Sequence, residues 1–124
     1  MFHVGTCLQD VADGEDYIVL AYRPFLDLQP YAETGPIFLH CRPCERAIEG
    51  DDTPPILKTS PDYILRGYGG DNRIVYGTGQ VTPSSEIAHY AQLMLKRRDV
   101  AYIHVRSARN NCYQVRIERA DRRR

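Results

Sequence analysis

No stretch of this sequence stays apolar for long enough to cross a bilayer as a helix: the longest apolar and aromatic run, Tyr17 to Tyr22, has 6 residues, where about 20 are needed. A helical transmembrane protein is excluded. The start, Met1-Phe2-His3-Val4-Gly5, has neither the basic segment nor the long apolar segment of a secretory signal, which makes the cytoplasm the default location. Net charge is also missing, because 16 basic residues balance 16 acidic ones. Nucleic acid is therefore not an expected partner, since domains that bind it are usually strongly basic. There is no internal repeat, and no low-complexity segment apart from the short basic tail 119–124. What is present describes a folded chain: 43% hydrophobic and 26% charged residues are ordinary for a globular protein. At 124 residues, one domain covering 1–124 is expected and a second is not.

The charge is unevenly spread. Residues 1–62 hold 11 acids and 4 bases, and residues 63–124 hold 5 acids and 12 bases. Clustered Arg in the second half suits a small anion, because guanidinium groups hold carboxylate and phosphate oxygens in pairs. The alternative is that the halves pack together and neutralise each other. The 4 cysteines, Cys7, Cys41, Cys44 and Cys112, occur without an export signal. That setting favours metal binding, thiol chemistry or simple burial over a disulfide framework.

Local patterns give the elements. Tyr17 to Arg23 is β-rich and ends at Pro24; PYAETGP, Pro30 to Pro36, reads as a loop that delivers a short strand, Ile37 to His40. Pro43, the helix formers Glu45 to Ile48 and the stop Gly50-Asp51-Asp52 predict a short helix over Cys44 to Ile48. Tyr63–Tyr68 and Arg73–Gly77 read as strands of a hairpin around Gly69-Gly70-Asp71-Asn72. Thr82 as N-cap, Pro83 at the first helical position and basic residues at 96–98 predict a helix from Pro83 to Arg98. Its core face is Ile87, Ala91, Met94 and Leu95, and His89, Gln92 and Lys96 face water. The last hairpin joins Ala101–Arg106 to Cys112–Glu118. Alternation pairs Ala101, Ile103 and Val105 with Tyr113, Val115 and Ile117 on a core face, leaving Tyr102, His104, Arg106, Cys112, Gln114 and Arg116 on the other. The expected fold is a single α+β domain, mainly antiparallel sheet with one long and one short helix.

Three chemistries have residues to carry them. His40-Cys41-Arg42-Pro43-Cys44 places soft ligands at a strand end, and C-x-x-C lets two thiolates hold one tetrahedral ion. A structural zinc would use Cys7, His40, Cys41 and Cys44, with His3 or Cys112 as further candidates. The same Cys-x-Pro-Cys could instead run thiol exchange, with Cys41 attacking and Cys44 resolving, although no helix precedes it as a thioredoxin-like βαβ unit requires. The segment Arg106 to Tyr113, RSARNNCY, gathers anion-binding groups in Arg106, Ser107, Arg109, Asn110 and Asn111. It also offers Cys112 as a nucleophile with His104 as its base.

YRPF at Tyr22 to Phe25, PYAETGPIFLH at Pro30 to His40, Cys44, LRGY at Leu65 to Tyr68 and YIHVRSARNNCYQVRI at Tyr102 to Ile117 resemble a bacterial family catalogued as domain of unknown function 1203. The resemblance spans nearly the whole chain and implies no activity, substrate or cofactor. It does imply a C-x-x-C near the start whose second cysteine matches Cys7. Here the first position is Val4, which removes one ligand from any metal site and leaves His3 or Cys41 to replace it. The leading expectation is a domain that binds a small anionic molecule, with a cysteine-dependent enzyme and a structural zinc domain as alternatives.

Overall fold

A computed structural model describes residues 2–3, 17–40, 53 and 55–119. A five-stranded antiparallel sheet organises them, in the order β1-β7-β6-β4-β5. Its strands are β1 (Phe2–His3), β4 (Asp62–Tyr68), β5 (Gln80–Pro83), β6 (Tyr102–Ser107) and β7 (Tyr113–Glu118). A separate two-stranded ribbon pairs β2 (Tyr17–Tyr22) with β3 (Gly35–His40). Among the described residues the one α-helix, α1 (Ile87–Met94), follows a 3-10 turn at Ser84–Glu86, and a second 3-10 turn spans Pro55–Lys58. The protein is thus an α+β domain dominated by antiparallel sheet. No helix among the described residues is long and apolar enough to cross a membrane.

Strand alternation gives the large sheet two different faces. On one, Tyr63 and Leu65 of β4, Ile103 and Val105 of β6, and Val115 and Ile117 of β7 pack with Ile87, Ala91 and Met94 of α1. This is the apolar core, and burial of these side chains is the main force holding helix to sheet. Gly67 lets the two approach: a Cβ there would lie 2.9 Å from Met94 Sδ and 3.2 Å from the Thr78 side chain. On the other face, Tyr68, Tyr102, His104 and Arg106 are equally withdrawn from water. Phe25 and Ala32, from the segment joining the ribbon strands, cover part of it.

Several sequence expectations change. Arg73–Gly77 forms no strand: Ile74 makes one isolated bridge to Tyr68, and β4 pairs instead with Gln80–Pro83. The helix is shorter than Pro83–Arg98, because Thr82 and Pro83 are consumed by β5. Thr82 is buried in the strand and its hydroxyl bonds to Gln80 O, 3.2 Å away, so it caps nothing. At the other end the backbone tightens after Leu95, with Lys96 and Arg97 donating to Leu93 O and Met94 O, and the chain turns into β6. His89, Gln92 and Lys96 are exposed, as the periodicity predicts. The segment Cys44 to Ile48, expected to be the short helix, lies outside the described residues.

The parity of the last hairpin also breaks. Val105 pairs with Val115, but Arg106 pairs with Tyr113, so a bulge inserts Gln114 between them. One extra residue moves everything beyond it to the opposite face. Tyr113 therefore leaves the helix side and joins His104 and Arg106.

Candidate functional site

The second face of the sheet carries charge where a core normally carries none. Arg66 on β4 and Arg106 on β6 both point at Glu33, which sits in the loop between Pro30 and Pro36. Arg66 Nη1 donates to Glu33 Oε1; Arg106 Nε lies 3.3 Å from the same oxygen, near enough to pair charges without aligning as a hydrogen bond. Asn111 Nδ2 donates to the second oxygen, Oε2, at 2.8 Å. Asn111 reaches it from a left-handed backbone conformation (φ 56°), which Asn tolerates better than most residues. Its carbonyl in turn accepts from Arg106 Nη1 at 3.0 Å, fixing the guanidinium's orientation.

This cluster is incompletely neutralised. Among the described residues one carboxylate faces two guanidiniums, and Arg106 is 1% exposed. Among the described residues, Arg106 Nε and Nη2 have no hydrogen-bond partner, and the Tyr68 hydroxyl, with Arg66 beside it, donates to none. Burial raises the Tyr68 hydroxyl's pKa, with Arg106 opposing, so it stays a protonated donor at neutral pH. Buried polar groups of this kind are uncommon and normally find a protein, water or ligand partner.

Beside the cluster lies an aromatic layer. The His104 ring sits 4.8 to 5.2 Å from the rings of Phe25, Tyr68, Tyr102 and Tyr113. Burial, reinforced by Arg106 and Arg116, lowers its pKa to about 3. The ring is neutral at pH 7, and neither nitrogen has a hydrogen-bond partner among the described residues. Arg116 stacks its guanidinium 3.9 Å from the Tyr102 ring centroid.

The expected anion-binding residues separate. Arg106 and Asn111 enter the cluster, whereas Arg109 and Asn110 are exposed at the tip of the β6–β7 loop. Ser107 is used within that loop, its Oγ accepting from Cys112 N at 2.9 Å. Cys112 is buried, and its thiol points toward Asn110 O at 3.9 Å; no hydrogen bond joins it to His104. A base whose pKa lies near 3 is poorly matched to activating a thiol at neutral pH. Cys7, Cys41 and Cys44 lie outside the described residues, as do the side chains of His3 and His40. Among the described residues, no three His, Cys, Asp or Glu side chains gather around a common point as metal ligands would.

Reading the sequence alone misses Glu33, Arg66 and Tyr68. A signal for each exists. Arg66 lies between Leu65 and Gly67, whose side of the strand is fully apolar, so alternation alone sends Arg66 to the opposite face with Tyr68. Glu33 is the one charge in PYAETGP.

The model of one protein family, described as a protein of unknown function (DUF1203), matches residues 3–119. No curated protein and no solved structure matches the chain.

Proposed function

The chain belongs to this family of unknown function, and from that premise and the geometry of the charged cluster we propose that it is a binding domain for a small anionic molecule. One observation carries the reading: among the described residues Arg106, buried in the central strand, keeps Nη2 without a partner beside a single carboxylate shared with Arg66. A buried guanidinium with an unmet donor is costly unless something anionic completes it. The ligand-binding residues on this reading are Arg66, Arg106, Asn111 and Tyr68, a narrower set than the whole loop Arg106–Cys112. We place the protein in the cytosol, where the free thiol of Cys112 fits.

The same geometry supports this reading over catalysis by Cys112, which is buried and, among the described residues, has no base hydrogen-bonded to it. Thermal-shift titration with phosphate, carboxylates and nucleotides tests it. A ligand at 100 times its Kd stabilises by about 2.7 kcal/mol. The shift should vanish in Arg106→Gln, a variant that keeps the side chain polar. Absence of any shift across these anions would remove the proposal.

A further inference from the structure

Arg106 turns its side-on edge, Nε and Nη2, toward the cluster, and among the described residues neither group of that edge has a hydrogen-bond partner. On a guanidinium these two groups form a parallel donor pair that matches two oxygens of one anion. Here Nε lies 3.3 Å from Glu33 Oε1 without aligning on it, and Nη2 has no partner among the described residues. The Tyr68 hydroxyl is a further unpartnered donor. Glu33 thus satisfies Arg66 Nη1 and Asn111 Nδ2 but leaves three buried donors over, Arg106 Nε and Nη2 and the Tyr68 hydroxyl, and among the described residues it supplies one negative charge to two positive ones. A group with three free oxygens and up to two negative charges would meet them all.

The segment carrying Glu33 is held in a way that permits exchange. At one end Gln29 Nε2 donates to Asn72 O at 2.6 Å, and at the other Gly35 pairs with Tyr22 in the ribbon. Between them, among the described residues, the polar contacts with the large sheet and its loops are those of Glu33, and of Tyr31, whose hydroxyl meets that of Tyr76. The Glu33 side chain is 30% exposed, so the carboxylate sits at the entrance of the cluster, with Arg106 behind it.

Resting on the anion-binding reading, we infer that Glu33 is an internal stand-in for the ligand, that the ligand is a phosphate or phosphate monoester, and that it binds by displacing Glu33 from Arg66, Arg106 and Asn111. Glu33 then competes with the ligand for the same donors. Any site that is open for only a fraction of the time binds more weakly by that fraction. Removing the charge at Glu33 must therefore tighten binding, the reverse of what a residue that merely supports the site would do.

Calorimetric titration of inorganic phosphate and of acetate into the wild-type protein and Glu33→Gln tests this. The expected result is phosphate binding by both proteins, roughly tenfold or more tightly by Glu33→Gln, and tighter than acetate in each. Phosphate binding that Glu33→Gln leaves unchanged or weakens would overturn the displacement while leaving the anion-binding reading intact. Acetate binding more tightly than phosphate would overturn the ligand class. Binding of neither anion by either protein would defeat both readings. A second measurement needs no variant: in the wild-type protein, phosphate should speed hydrogen exchange at the Ala32 and Glu33 amides, which bond to Gln29 O and Tyr31 O. Unchanged exchange at saturating phosphate would overturn the displacement independently.

Discussion

Glu33 Oε1 lies 3.3 Å from Arg106 Nε, so a residue of the loop between two prolines neutralises a guanidinium in the middle of the sheet. Breaking a buried ion pair from one side leaves the other charge stranded. Because Glu33 is partly exposed, solvent softens that penalty. Glu33→Ala should cost about 2–4 kcal/mol in urea denaturation, and Glu33→Gln less, since its amide oxygen can still accept. A loss under 0.5 kcal/mol, the usual range of a surface substitution, would mean that the pair contributes nothing.

His104 sets a pH dependence with a definite sign. Its folded pKa of about 3 lies below the ordinary 6.5, so the unfolded chain takes up the proton first as pH falls. The stability due to the neutral ring is fully present above about pH 6.5 and is lost progressively as pH falls through that value toward about 3. Each pH unit well inside this window costs about 1.4 kcal/mol. His104→Phe keeps an aromatic ring among its neighbours and removes the proton. The stability difference between pH 7 and pH 5 should shrink by about 2 kcal/mol in this variant. An unchanged difference would show that the imidazole is not buried in its neutral form.

Gly67→Ala should destabilise by about 1–3 kcal/mol through overpacking, because the new methyl meets Met94 Sδ at 2.9 Å and Thr78 Cγ2 at 3.2 Å. Thr78→Ser removes Cγ2 yet keeps the hydroxyl that accepts from Gly67 N and donates to Val75 O. In the double variant the loss should be smaller than the sum of the two single losses, a coupling that denaturation of all four proteins would measure.

Arg119 closes the end of the helix. Its Nε donates to Leu95 O at 2.9 Å and its Nη2 to Arg97 O at 2.6 Å, carbonyls beyond the last helical turn. Arg119→Ala should cost about 1 kcal/mol by thermal melting, and Arg119→Lys should restore only part, because an ammonium cannot span both oxygens with a planar fork.

Cys112 should alkylate slowly in the folded protein, being 4% exposed. Brief iodoacetamide treatment at neutral pH followed by peptide mass spectrometry should leave it unmodified until denaturant is added. Rapid labelling of native Cys112 would revive a catalytic thiol.

Local chemistry sufficed for much of this protein. The strand Tyr17–Tyr22, the strand around Tyr63–Tyr68 and both strands of the last hairpin follow from β-branched and aromatic runs closed by Pro, Gly or Asn. The outward direction of His89, Gln92 and Lys96 follows from helical spacing alone. Those signals act between near neighbours, so they are present in the string of residues.

Tertiary structure decided what such signals cannot reach. Thr82-Pro83 suits a helix start locally, but the two residues pair with Tyr63 and Asp62 as the end of β5, and the helix begins later. A bulge at Gln114, unmarked by any residue type, moved Tyr113 across the sheet. Arg106 is an anion-binding candidate from the sequence, but its burial and its pairing with Glu33 depend on the segment holding Phe25 and Glu33 folding over it. Burial of a charge and the arrival of its partner are long-range events. Their free energy depends on which distant segment excludes water, and only the folded chain fixes that.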